Sequence, residues 1–133
     1  MVTPEERTSR TLAQLDEDFA GKVRQVLDAM RAIGRPMVAY DGKRTAAQQQ
    51  ALFAKGRTAP GAIVTHLDGV TKHSYHQSGK AVDCAFLVSG APWSLSWDGS
   101  PAGWEVYMAC GEALGLTAGG RWRMRDYPHL EQR

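Results

Sequence analysis

The chain has 133 residues, a formal net charge of +2, and 43% hydrophobic against 23% charged residues. That length builds one domain around one core and is too short for two, so a single domain over residues 1–133 is expected. The near-neutral charge removes any electrostatic demand for a nucleic-acid partner. No apolar run approaches the ~20 residues of a membrane-spanning helix, so no membrane insertion is expected.

The first ten residues, Met-Val-Thr-Pro-Glu-Glu-Arg-Thr-Ser-Arg, lack the apolar segment of a secretory signal. The expectation is synthesis and retention in the cytoplasm. Two cysteines, Cys84 and Cys110, are too few for a disulfide framework. Cys84 falls in an apolar strand pattern and Cys110 on an apolar helix face. Both read as buried free thiols of a reducing compartment.

Residues 8–33 read as helical. Thr8 or Ser9 can cap a short first piece carrying Leu12 and Leu15, and Asp16 can cap a longer second piece. In that piece Phe19, Val23, Val26, Leu27, Met30 and Ile33 recur at spacings of three and four, which makes one apolar stripe. Gly34 and Pro36 end it. Pro36-Met-Val-Ala-Tyr40 reads as a strand and Asp41-Gly42 as a turn. Thr45-Ala-Ala-Gln48 is a capping box that opens a helix to about Lys55. Arg44 stands just before that helix, where a cation opposes the dipole. A solvent-facing arginine is the plain reading, and a grip on a carboxylate or oxyanion is the functional one.

Residues 56–75 hold Gly, Pro, Thr and Asp with little periodicity. They read as a long loop with a short strand at Ala62–Thr65. The loop leads into His73-Ser-Tyr-His76-Gln-Ser-Gly79-Lys-Ala-Val-Asp83. From Ala81 the chain is apolar on both faces, as a central strand is. Asp83 lies inside it, and a buried carboxylate must be paired, hydrogen-bonded or bound to a metal. His76 lies seven residues earlier, an odd spacing that would put the two on opposite faces of an unbroken strand. Gly79 can adopt the positive φ that turns them back together. The residues by themselves allow a zinc site, a catalytic dyad, or a buried network capped by Asp83. His66 and His73 are further candidate ligands without a geometric link to Asp83.

Trp93 and Trp97 sit in a turn-rich segment and read as cover for the core edge rather than a groove lining. Ser100-Pro101 is a helix start. The helix carries Trp104, Met108, Cys110, Ala113 and Leu114 inward and stops at Gly115. Arg121, Arg123 and Arg125, interleaved with Trp122, read as the solvated face of a strand rather than an anion patch. At the C-terminus His129 has Asp126 three before it and Glu131 two after. On a strand Glu131 shares the face of His129, and Asp126 reaches it only through a bend at Tyr127-Pro128. A His ligand with a nearby carboxylate suits zinc-assisted hydrolysis, and spacing does not choose between the two carboxylates as the base.

Ser74-x-His76-x-x-Gly79-x-Ala81-x-Asp83 with Asp126-x-Pro128-His129 resembles the zinc peptidases that cut peptidoglycan stem peptides. These are the D-Ala-D-Ala carboxypeptidases (VanY-like) and the L-alanyl-D-glutamate endopeptidases of the phage endolysin type. Arg44-Thr-Ala-Ala-Gln-Gln49, Leu52-Phe-Ala-Lys-Gly56-Arg57, Ile63-Val-Thr65 and Gly119-Gly120-x-Trp122 also fit that family, in its order. The resemblance implies an α+β fold of the Hedgehog/DD-peptidase type, a small antiparallel sheet carrying the zinc site with helices on one side. It implies Zn2+ held by His76, Asp83 and His129, Asp126 as general base, Arg44 as a catalytic group that polarises the carbonyl or grips substrate, and Ser74 as a hydrogen-bonder at the site edge. Glu131 becomes a neighbour that orients His129.

The expected activity is hydrolysis of L-Ala-D-Glu in a peptidoglycan stem peptide, by a monomer that reaches the wall after release, with a holin in the endolysin case. D-Ala-D-Ala carboxypeptidase activity is the alternative, and a catalytically silent metal-bound module that recognises cell-wall peptide is the non-enzymatic one. Ala118 departs from the family, where many relatives have an aromatic residue. The expectation is an altered groove wall.

Overall fold

The computed structural model describes residues 2–88, 94–96 and 101–133. Two helices open the chain, α1 (Pro4–Ala13) and α2 (Glu17–Ala32). The start of α1 lies earlier than Thr8 or Ser9. Thr3 accepts a hydrogen bond from the Glu6 amide at 3.1 Å and Pro4 takes the first turn, a stronger start signal than either later residue. Thr8 is instead buried inside the helix, where its hydroxyl accepts from the Ala39 amide at 3.3 Å. Asp16 caps α2 as expected, accepting from the Phe19 amide at 3.1 Å.

The sheet is antiparallel throughout and built around one strand. β1 (Met37–Asp41) pairs with one edge of β2 (Ala81–Val88). The other edge is shared by β5 (His129–Glu131), against residues 81–83, and β3 (Ser94–Ser96), against residues 86–88. β4 (Thr117–Ala118) extends the sheet beyond β5. Strand alternation divides β2 cleanly. Val82, Cys84 and Phe86 join the core with Phe19, Val23, Val26, Met30, Trp104, Tyr107 and Leu130. Ala81, Asp83 and Ala85 face the other way. Complete burial of Phe19 alone contributes about 1.5–3 kcal/mol. α1, α2 and α4 (Pro101–Ala113) supply the helical side of this core, and α3 (Ala46–Ala54) stands apart from it at the loop.

Three expectations are corrected. Residues 62–65 form no strand, because both edges of β2 are already taken and Ile63 and Val64 lie exposed. Buried Gln49 pins that loop instead, its amide donating to the Leu67 carbonyl at 2.9 Å. Residues 121–125 form no strand either. A 3₁₀ turn (Gly119–Arg121) brings the Trp122 and Asp126 amides onto the Gly119 carbonyl, and Arg121 is paired with Glu105 and Glu112 of α4 at 2.7 and 2.9 Å. On α4 the buried stripe is Gly103, Trp104, Tyr107, Met108 and Gly111. Cys110 is only half-buried and Ala113 is exposed, because they fall on the neighbouring stripe. Trp93, Trp97 and the Ser100 cap lie outside the described residues.

Both cysteines are free. Burial pushes the Cys84 thiol up to about 12, against which its hydrogen bond with Tyr107 is a minor opposing effect. The thiolate is the nucleophile, so at pH 8 Cys84 is expected to resist alkylation until the fold opens. Mass spectrometry after a timed iodoacetamide pulse should find Cys110 labelled first.

Candidate metal centre

The site is assembled on the outward face of β2. Register places His129 directly across from Asp83 and Glu131 across from Ala81, so all three polar groups share the face that the core side leaves free. His76 arrives from the other side. Ser74 caps a 3₁₀ turn (Tyr75–Ser78), its hydroxyl accepting from the His76 amide at 3.2 Å, and Gly79 ends the turn at φ +70°. That left-handed residue returns the chain into β2 as the odd spacing required.

His76, Asp83 and His129 are all buried, and each offers one donor atom within 4.8 Å of the others. The outer ring nitrogens are tied down. His76 Nδ1 lies 2.7 Å from the Gly42 carbonyl, and a carbonyl only accepts, so Nδ1 carries the proton. His129 Nε2 donates to Glu131 Oε1 at 2.8 Å. The inner nitrogens therefore face Asp83, His76 Nε2 at 3.5 Å from Oδ2 and His129 Nδ1 at 3.3 Å from Oδ1. Asp83 Oδ1 is buried with no hydrogen-bond partner among the described residues. Two imidazole lone pairs and an orphaned carboxylate oxygen converging on one point make a donor set for a divalent cation. Nitrogen and oxygen ligands suit zinc.

The charges follow this crowding. Burial alone would raise Asp83, but the facing His129 and His76 imidazoles outweigh it and hold the carboxyl well below its usual range. Burial would lower His129, but Asp83 and Glu131 raise it to about 9. Glu131, buried and bonded to His129 and to Arg133 at 2.7 Å, is lowered for the same reason. Glu131→Gln removes the charge that orients His129, and a ten- to hundredfold loss of zinc affinity is expected by competition with a fluorescent chelator.

Asp126 sits at the edge of this centre with half its side chain exposed, Oδ2 lying 3.8 Å from His129 Nδ1. Partial desolvation and the Asp83 charge raise its pKa. Its backbone is held by the Gly119 carbonyl, and a Cβ on Gly119 would meet Asp126 O at 2.7 Å, so only glycine fits there. Arg44 lines the same cleft but is largely committed. It donates to Asp41 at 2.6 and 3.1 Å, to Gln49 at 3.1 Å and to Asp83 at 3.3 Å, which among the described residues leaves one of its five N–H groups for a substrate. Ser74 lines the cleft as well, and its visible task is the cap on the His76 turn.

The cleft has a volume of about 570 Å3, and its remaining walls include Leu52, Lys55, Val64, Trp122, Met124 and Arg125. His66 reaches the cleft but not the three-residue centre, with Nδ1 3.4 Å from Arg57. His73 is exposed against the Val70 carbonyl. Ala118 is buried in the core across from Leu130 and lines no part of the cleft, so the groove-wall expectation is corrected. Asp41, Gln49 and Trp122, whose ring lies 5.0 Å from His129, were not singled out by sequence reasoning. The Arg44-to-Gln49 and Gly-Gly-x-Trp patterns hinted at Gln49 and Trp122, and Asp41 was read only as part of a turn.

A small antiparallel sheet with a His-Asp-His donor set on its open face defines a zinc peptidase. The chain belongs to the peptidoglycan-cleaving zinc metallopeptidase family of D-alanyl-D-alanine carboxypeptidases: two family models carrying that description match residues 12–99 and 68–132. It is 36% identical over 119 residues to the peptidoglycan L-alanyl-D-glutamate endopeptidase CwlK of Bacillus subtilis, a match that covers 82% of this chain and 70% of that protein. Among solved structures it resembles the L-Ala D-Glu endopeptidase ChiX of Serratia marcescens, with a TM-score of 0.66 and 22% identity over 96% of this chain and 86% of that one. It also resembles the vancomycin-resistance D,D-pentapeptidase VanY of a VanB-type cassette, solved with Zn(II), with a TM-score of 0.59 and 18% identity over 88% and 71% of the two chains. The α+β fold with helices on one side of the sheet is thus the family's, and zinc is its cofactor.

Proposed function

We propose that this protein hydrolyses the amide bond between L-alanine and D-glutamate in peptidoglycan stem peptides. The observation that carries the reading is a half-exposed carboxylate, Asp126, poised 3.8 Å from His129 Nδ1 at the mouth of a buried His-Asp-His donor set. CwlK and ChiX, both named for this bond, support the choice of substrate. The family description keeps D-Ala-D-Ala carboxypeptidase activity as the second reading.

His76 Nε2, His129 Nδ1 and an Asp83 oxygen would hold the zinc. When bound, it supplies Lewis acidity and lowers the pKa of a coordinated water towards about 7. Asp126 accepts the proton of the attacking water and returns it to the leaving amine nitrogen. Its raised pKa suits both transfers. Arg44, fixed by Asp41 and Gln49, offers its remaining N–H to the substrate oxygen, and Ser74 keeps His76 in place. A non-catalytic peptide-binding module has no use for Asp126 at that position.

The donor set and the base all come from one chain, so a single domain working as a monomer suffices. Cutting at L-Ala-D-Glu severs the stem and every cross-link it carries, which fits a wall-degrading, endolysin-like role. The test is mass spectrometry of defined muropeptides incubated with zinc-loaded protein. Free amino-terminal D-Glu products that vanish with a chelator are expected. Release of D-Ala alone would move the assignment to the carboxypeptidase, and intact muropeptides would overturn it.

A further inference from the structure

The turn that carries Asp126 and His129 makes no regular ladder of its own beyond β5, yet the mechanism needs both residues placed together. Besides the Gly119 carbonyl, which takes the Asp126 amide at 3.0 Å, the turn is anchored through its own Pro128 carbonyl. That oxygen accepts from the Cys84 amide at 3.1 Å and from the Tyr107 hydroxyl at 2.8 Å. Tyr107 is fully buried on α4, and the oxygen it bonds is shared with the amide of Cys84, next in chain to Asp83. One phenol thus ties α4 to the strand bearing Asp83 and to the turn bearing the other two groups. Around the turn, Tyr127 stacks on Trp104 with ring centres 5.8 Å apart, and a Cβ on Gly120 would collide with Tyr127 and Met108.

We infer that Tyr107 is a positioning residue for catalysis: its hydroxyl, through the Pro128 carbonyl, sets where Asp126 stands relative to the His-Asp-His centre. The inference rests on the proposed role of Asp126 as general base. His129 is also held by its strand pairing with Asp83 and by Glu131, whereas Asp126 lies outside the strand. Without the phenol's bond His129 keeps its strand pairing and Glu131, whereas Asp126 keeps only the backbone bonds within its own segment, so the loss falls on the base more than on the metal donors. A misplacement of a catalytic group by about 1 Å costs up to about a hundredfold in rate.

The test compares zinc-loaded wild-type protein with Tyr107→Phe, and with Val23→Ala as a variant that weakens the core on α2 without touching the Pro128 bond. For Tyr107→Phe we expect kcat to fall about ten- to a hundredfold with KM and zinc stoichiometry unchanged, and the amides of Asp126 and His129 to exchange hydrogen faster. Val23→Ala should melt earlier with its kcat kept. p-Aminophenylalanine incorporated at position 107 restores an N–H donor to the Pro128 carbonyl and should recover most of the rate. An unchanged kcat, a fall matched by Val23→Ala, or no recovery with the amino analogue overturns the inference. The exchange measurement stands apart from activity: faster exchange at the turn in a protein whose wild type cuts no muropeptide refutes the peptidase reading while upholding the anchor.

Discussion

Asp126→Ala is expected to bind zinc with near wild-type affinity and to release no new amino termini from purified peptidoglycan. The carboxylate is 3.8 Å from His129 Nδ1, too far for a hydrogen bond, and it is not among the three converging donors. Removing it therefore leaves the donor set intact. General acid–base catalysis by a placed side chain is worth about 10²–10⁴-fold, and here one residue serves both proton transfers, so the upper end applies. Asp126→Asn should behave alike, because the amide keeps the shape and loses the basicity. Amine release measured with a fluorogenic reagent at saturating zinc reads the rate, and a chelator titration reads the metal. Unchanged release from either variant removes Asp126 from the mechanism and turns attention to Glu131, the other carboxylate beside His129. That outcome would be hard to reconcile with Glu131 buried and held by both His129 and Arg133.

What sequence could show of this centre followed from how local each signal was. The His76–Gly79–Asp83 arrangement was legible because a seven-residue spacing and one glycine contain the whole argument, and Gly79 adopts the positive φ it needs. The pairing of Glu131 with His129 was legible for the same reason, since two residues on one strand share a face. The α2 stripe and the α3 capping box were equally local. Asp41 and Tyr107 were not, because their importance comes from contacts across the fold. Asp41 stands opposite Asp83 through a register shift in β1, and Tyr107 meets a carbonyl 21 residues away. The failed strand at 62–65 has a cause of the same non-local kind. A strand needs a free edge, and whether β2 has one depends on which other segments reached it.

Asp83→Asn is expected to abolish both zinc binding and activity, and to erase the response of thermal stability to metal. The carboxylate carries its charge at any working pH, since the two histidines hold its pKa below the usual range. An isosteric amide keeps the volume and the bond from Arg44 but presents no anion to a divalent ion. Loss of an outer partner costs about ten- to a hundredfold in affinity, and loss of a ligand must exceed that. For the wild type, zinc at a thousand times its Kd stabilises the fold by about 4 kcal/mol. For a chain of this length that is a rise of roughly 15 °C in Tm. Chelation should reverse the rise in the wild type and do nothing to Asp83→Asn. Calorimetric scans of both proteins, with zinc and with chelator, give four melting temperatures that check this. If Asp83→Asn keeps the zinc-dependent shift, the metal is held elsewhere. The orphaned Oδ1 would then need another explanation, because no group among the described residues satisfies it.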